Sequence, residues 1–217
     1  MTTEICMFPI PECVTFPGTV FPLHVFEPRY RQMIQHCLDT NALVAICHTE
    51  KVVSLGKPND NLKEALKSNQ ATYKPYPVFS AGLCELIETT PDGRLYLNVH
   101  IEQRFKAVAE KQTLPFMVYE CEPFEDRPAT DDETELAAQL MEKILVRLQA
   151  LAQNEPAMQQ TFAPARWQDK TPQQFSFELF GSLSFGAENQ QQLLEMDSAA
   201  ERLAFVLEML NQIEHPA

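Results

Sequence analysis

The stretch TFPGTVFPLHVFEPRYRQMIQHCL, Thr15 to Leu38, sets a tight turn, an extended apolar run and a helix start side by side. Phe16-Pro17-Gly18 is turn chemistry: proline presets φ at the second position, and glycine accepts the positive φ that a type II turn demands at the third. Val20 to Phe26 then reads as extended chain. Pro22 has no N–H to give to a ladder, which predicts an edge or irregular strand. Pro28 suits the first position of a helix, where an N–H would have no partner in any case. From there Tyr30, Met33, Ile34, Cys37 and Leu38 recur at helical spacing, and Asp39-Thr40-Asn41 ends the helix.

Working outward, Glu4-Ile5-Cys6-Met7-Phe8 reads as a first strand closed by Pro9, and Ala42 to Cys47 as a short buried strand. Ser54 to Pro77 is polar and holds three prolines. It reads as a long loop or insertion, with one or two helical turns over Asn61 to Ser68, and as a candidate for mobility or function. Tyr76 to Phe124 is rich in strand signals. Val78 to Ile87 ends at Thr90-Pro91-Asp92-Gly93, whose last two residues tolerate left-handed geometry. Leu95, Leu97, Val99 and Ile101 alternate with polar neighbours, the pattern of a half-buried strand. Arg104 to Val108 and Phe116 to Cys121 follow as two more. Short strands at this spacing predict a small barrel rather than a doubly wound sheet.

Beyond Glu125 to Thr130 the character turns helical. Thr130-Asp131-Asp132-Glu133 is a capping box, followed by a stripe of Leu136, Leu140, Ile144, Leu148 and Leu151. Pro156 to Pro172 is a proline-punctuated connection around Trp167. Gln173 to Leu183 and Glu188 to Leu194 read as shorter helices separated by Ser184-Phe185-Gly186. Ser198-Ala199-Ala200-Glu201 opens a last helix carrying Leu203, Val206, Leu207 and Leu210. The expected architecture is α+β, with a β-rich domain over residues 1–125 and a helical bundle over 126–217.

The 217 residues carry a net charge of −13 and no run of Lys or Arg, so the surface repels phosphate backbones and anionic membranes. The apolar runs fall far short of the roughly 20 residues of a membrane span. The N-terminus lacks the basic and apolar regions of a secretory signal. Six cysteines without a CxxC pair read as reduced, buried thiols rather than a disulfide framework. These features describe a soluble cytoplasmic protein.

The order of these pieces resembles the N-terminal domain of the Lon ATP-dependent protease. Met7-Phe8-Pro9-Ile10-Pro11, Phe16-Pro17-Gly18, Pro22-Leu23-His24-Val25-Phe26 and Arg29 at a helix start are similar to that family's opening. Val44-Ala45-Ile46, Gly82 to Ile87 and Arg104-Phe105-Lys106-Ala107 resemble its later strands. Asn189 to Asp197 resembles its K-Q-x-L-L-E-x-x-D segment before the final helix. One departure is Ile101-Glu102-Gln103, where the family often carries a glycine. The resemblance implies a PUA-like β-pseudobarrel followed by a helical bundle. It also implies a standalone relative of the substrate-recognition domain, because the chain stops before the family's ATPase and serine–lysine peptidase modules.

Catalytic motifs are weak. Gly181 and Gly186 have P-loop separation, but Ala187-Glu188 stands where Lys-Ser would begin. Ser182-Leu183-Ser184-Phe185-Gly186 lacks the first glycine of a nucleophile elbow. His24 and Glu27 point to opposite faces of an extended strand, and His36-Cys37 and Cys47-His48 are adjacent rather than spaced as zinc ligands usually are. No catalytic residue, cofactor or metal is therefore assigned. Fourteen phenylalanines and eight methionines leave material for an apolar groove suited to varied polypeptide segments. The reading is a non-catalytic module binding unfolded segments or a protein partner, without nucleic acid or membrane. A weak homodimer is left open. The expected patch is Phe26, Arg29, Tyr30, Gln32 and Met33, with Arg29 hydrogen-bonding at its rim and Phe26 supplying contact area. Phe26, Tyr30 and Met33 have a competing role in closing the core. The alternatives are a PUA-like RNA- or nucleotide-binding module, which the charge opposes, and a hydrolase, for which no nucleophile and base are found.

Overall fold

The computed structural model describes residues 1–54 and 72–214. The suggested helical turns at Asn61 to Ser68 lie outside these residues. The strands are β1 (Thr3–Pro9), β2 (Val20–Val25), β3 (Leu43–Cys47), β4 (Thr49–Ser54), β5 (Thr72–Pro75), β6 (Val78–Thr89), β7 (Leu95–Gln112) and β8 (Val118–Pro123). The helices are α1 (Pro28–Thr40), α2 (Asp131–Leu151), α3 (Pro156–Thr161), α4 (Pro164–Trp167), α5 (Pro172–Glu178), α6 (Ala187–Glu195) and α7 (Ala199–Glu214). They form two compact units: Met1–Phe124 with Gly186–Leu194, and Glu125–Phe185 with Glu195–Ala217. Helix α6 thus belongs with the strands, an arrangement for which a single division at 125/126 has no place.

In the first unit, β7 does the work of two strands. The sequence separates Leu95–Ile101 from Arg104–Val108, but the chain runs through both as one strand of 18 residues. One edge of β7 pairs antiparallel with β6, and the other pairs first with β2 and then with β8. Because β6, β3, β1 and β8 are themselves neighbours in that order, the second pairing closes the sheet into a ring. Among the described residues β2 pairs with β7 alone, which fits the proline at its centre. The residues expected as loop after Ser54 include β5, which pairs with β4 in a separate two-stranded sheet.

A bulge makes the long strand possible. Ala81 faces Gln103 and Gly82 faces Ile101, so Glu102 is an extra residue on β7. An inserted residue reverses which face the following side chains occupy. Leu95, Leu97, Val99 and Ile101 accordingly pack in one core with Tyr30, Met33, Ile34 and Cys37 of α1. Phe105 passes to a second core with Ile5, Met7, Ala45, Phe79 and Met117. Strands β1 and β3 feed both cores, which explains their unbroken apolar runs. The turn at the start of the chain is as expected: Gly18 has φ 79°, and the Thr19 N–H donates to the Phe16 carbonyl at 3.2 Å. Asn41 ends α1 in the left-handed region, at φ 55°.

Helix α6 is held on the strands by polar contacts. Arg104, buried beneath the Phe124 ring at 4.5 Å, donates to the Leu194 carbonyl at 2.7 Å. A cation at a helix C-terminus is favourably placed against the dipole. Gln191 donates to the Val78 carbonyl at 2.9 Å. His48 Nδ1 accepts from the Glu12 N–H at 3.0 Å, which leaves Nε2 to carry the proton toward Glu188 at 3.3 Å.

The second unit is organised by a buried charge. Arg202 is fully buried and clamps Asp126 through both terminal nitrogens, at 2.7 and 2.5 Å. Its Nε donates to Ser176 Oγ at 2.9 Å, Nη1 also reaches the Met196 carbonyl at 3.0 Å, and the guanidinium lies 4.0 Å from the Phe177 ring centroid. Such bidentate, fully bonded placement is what a buried arginine requires. The capping box at Thr130 and Glu133 forms as read, and a second one at Thr171 and Gln174 was not anticipated. Ser198 Oγ accepts from the Glu201 N–H at 3.4 Å. On α2 the buried face is Ala137, Leu140, Ile144, Leu145 and Leu148. Leu136 and Leu151 of the expected stripe are instead 45% and 40% exposed. Four-residue steps drift about 40° around a helix axis, which carries Leu136 some 80° away from Ile144. The connection around Trp167 folds into two short helices. The indole donates to the Thr161 carbonyl at 3.0 Å and meets the Phe175 ring edge-on at 5.0 Å.

Three outcomes are expected. A Cβ on Gly82 would overlap the His100 carbonyl oxygen, whereas one on Gly186 (φ +83°) meets nothing within 4 Å. Gly82→Ala should therefore destabilise by about 3 kcal/mol or more, and Gly186→Ala by only about 1–2 kcal/mol from its left-handed backbone. Urea titration by circular dichroism compares them. Asp126→Asn leaves the Arg202 charge uncompensated and should cost about 3–5 kcal/mol, read from Trp167 fluorescence in urea. Glu133 is held down to about 2 from an ordinary 4.5, first by the Arg127 hydrogen bond and then by the Thr130 N–H. Its contribution is present above pH 4.5 and disappears as pH falls through about 2. Glu133→Gln should flatten that part of the acid-unfolding profile.

Candidate polypeptide-binding surface

The end of β2 and the start of α1 place the expected patch. Phe26 is half-buried and Gln32 exposed. Tyr30 and Met33 are 5% and 0% exposed and belong to the α1 core; Tyr30 stacks on Phe8 at 4.1 Å. Burial also pushes the Tyr30 phenol up to about 12. Their competing core role is the one these side chains fill. Arg29 pairs with Glu27 at 3.1 Å, the two side chains being 10% and 13% exposed, and its guanidinium lies 4.5 Å from the Tyr30 ring centroid. Arg29 thus braces the entry to α1 from within the protein.

The structure brings other side chains to Phe26. His24 is exposed and stacks flat on Tyr96, with ring centroids 4.4 Å apart and planes 3° from parallel, and lies 5.9 Å from Phe26. The cause is register: His24 faces Tyr96 directly across the β2–β7 ladder, and facing aromatic pairs interact strongly in a sheet. The alternation of β7 marked Tyr96 as outward, but nothing in the sequence announced its partner strand. The ring of His24 therefore lies against tyrosine, while Glu27 turns to Arg29.

Gln32 looks elsewhere. It lines a cleft of about 480 Å³ with Glu4, His36, Lys111, Phe116 and Val118, among others. That volume falls within the range of ligand pockets, about 300–1,000 Å³. Lys111 pairs with Glu120 at 2.9 Å. This bond and one from Thr2 hold the Glu120 carboxyl below the usual range. The patch expected around α1 is therefore two places: an aromatic surface at Phe26, and a cleft at Gln32.

The thiols differ among themselves: the hydrogen bond with Cys37 draws the Cys6 thiol down, whereas burial raises others. All six cysteines are free thiols. Burial pushes Cys13 up to about 11, and Cys84 and Cys121 up to about 12, which withholds the reactive thiolate at neutral pH. Ser182 and Ser184 are exposed. Among the described residues, no three His, Cys, Asp or Glu side chains are grouped to hold a metal ion. No described helix is long and apolar enough to cross a membrane.

A sheet closed on itself through one long strand, with a helix across one face and a helical unit beside it in sequence, defines an α+β pseudobarrel class. The chain belongs to the family of the ATP-dependent protease La (LON) substrate-binding domain, whose model matches residues 4–212. Among solved structures it is similar to the N-terminal domain of Mycobacterium avium complex Lon protease. That likeness has a TM-score of 0.67 at 16% identity over 96% of this chain and 98% of that one. It is also similar to the Lon N-terminal domain protein from Xanthomonas campestris, with a TM-score of 0.55 at 19% identity over 95% and 98% of the two chains. At these identities the likeness is one of fold. No curated protein sequence matches significantly.

Proposed function

We propose that this protein is a non-catalytic module that binds unfolded polypeptide segments or a protein partner. The observation that carries this reading is the family match across residues 4–212, to a domain described as substrate-binding. The aromatic surface of exposed His24 and Tyr96 beside half-buried Phe26 supports it, because flat rings offer contact area at little entropic cost and tolerate varied sequences. Gln32 and its cleft give a second place where a segment can hydrogen-bond. Of the expected patch, Tyr30 and Met33 belong to the core and Arg29 pairs with Glu27, so Phe26 and Gln32 are the members left to meet a segment. The net charge of −13 opposes the alternative of an RNA- or nucleotide-binding module.

The test is fluorescence anisotropy with a labelled, permanently unfolded polypeptide, against the same chain folded. Selective, saturable binding of the unfolded form is expected. Phe26→Ala should weaken it about tenfold, the loss of one aromatic anchor. Met33→Ala should act on stability instead, lowering the unfolding midpoint through a core cavity. Equal binding of folded and unfolded chains would overturn the proposal, and no binding of either would exclude the unfolded-segment reading and direct the search to one folded partner by pull-down.

A further inference from the structure

Strand β6 outruns its neighbour. Strand β3 pairs with it only at Ser80, Ala81 and Gly82, yet β6 continues to Thr89, paired with β7 along one edge. Among the described residues no strand pairs with the other edge of Leu83–Thr89. This edge spans about 23 Å at the usual rise per residue. Glu85 through Thr89 are all exposed, and Ile87, the extra residue of a second bulge, is 59% exposed. Leu83 and Leu86 add further exposed apolar surface at 38% and 42%.

The geometry points to β6 as a docking edge for an extended, basic and apolar polypeptide segment, added to the sheet as a further strand. The inference rests on the polypeptide-binding reading and gives it a binding mode. An open strand edge offers alternating N–H and C=O groups, and the backbone of another extended chain is the ligand that matches them. Charge selects among such chains. Glu85 and Glu88 stand on the exposed edge, with His100 bonded to Glu85 at 2.9 Å. Lysine or arginine in the incoming strand would find carboxylates at hand. A second copy of this protein is disfavoured by the same charges. Antiparallel self-pairing centred between Leu86 and Ile87 sets Glu85 opposite Glu88 twice, and each copy brings a net charge of −13, while like charges directly opposite destabilise a ladder.

The experiment uses the 217-residue protein and labelled ten-residue peptides alternating valine or leucine with lysine. Two further versions carry N-methyl groups on the odd or on the even residues, and a fourth replaces lysine by glutamate. An added strand bonds through one parity of its N–H groups toward β6. One N-methylated version should therefore lose at least tenfold in affinity and the other little. Glu85→Lys with Glu88→Lys, folded by circular dichroism, should reverse the preference from lysine to glutamate peptides. If both N-methylated versions bind alike, or the double variant keeps its preference, while an unfolded polypeptide still binds, the β6 edge is excluded and polypeptide binding stands. If neither peptides nor unfolded polypeptide bind, the β6 edge and the unfolded-segment reading fall together. A dimer in sedimentation that Ile87→Lys dissolves would assign the edge to a second copy and overturn the inference.

Discussion

The first unit depends on one close approach of backbone to backbone. Gly82 of β6 lies so near the His100 carbonyl that no side chain fits between them, and opposite this point Glu102 bulges out of β7. The bulge turns the later half of β7 over. Before it the strand serves the core beneath α1, and after it the core enclosed with Ile5, Met7 and Phe79. Without that change of face, Phe105 would point into the first core and the second would lose one of its two buried phenylalanines. The ring closure by β8 begins at Phe105, just past the bulge. Two cores and the closed sheet therefore follow from a missing Cβ on one strand and a surplus residue on the next.

Buried polar groups then fix how helices attach. Arg104, Gln191 and His48 each satisfy their hydrogen bonds against α6 or its surroundings. Arg202 does the same for the second unit through Asp126, Ser176 and Met196. Apolar contact alone would let a short helix such as α6 slide or rotate at small cost, since hydrophobic burial is non-directional. A guanidinium or imidazole deprived of its partners is costly, so one placement is selected over its neighbours.

Much of this was legible from local chemistry. The Pro17-Gly18 turn, the helix entry at Pro28, its end at Asn41, the strands around Leu43–Cys47 and Val78–Thr89, and the Thr130 box all lie in short-range rules of backbone and spacing. What was not legible depends on which strands become neighbours. Reading β7 as two strands is what broken alternation at Glu102 and Gln103 suggests, because a bulge interrupts the period without ending the strand. Residues Thr72–Pro75 look like loop because their strand character comes from pairing with β4, which four residues ending in proline do not announce. The site shows the same division. That Tyr30 and Met33 share a helix face with Ile34 is plain from spacing, but whether that face meets solvent or sheet is decided by tertiary packing. His24 and Tyr96 are 72 positions apart, and only strand register sets one upon the other.

Helix α6 has a consequence for the order in which the protein can be made. It belongs with the β-rich unit, yet residues Glu125–Phe185 of the other unit precede it in the chain. As the polypeptide leaves a ribosome, the strands through β8 emerge first, while the Leu194 carbonyl that Arg104 must meet follows only after residues Glu125–Phe185 have been made. Until then a buried guanidinium and the Val78 carbonyl await their partners. The β-rich unit is thus completed by a segment that follows much of the helical unit in the chain. Its consolidation waits on that later segment and cannot be finished by the strands alone.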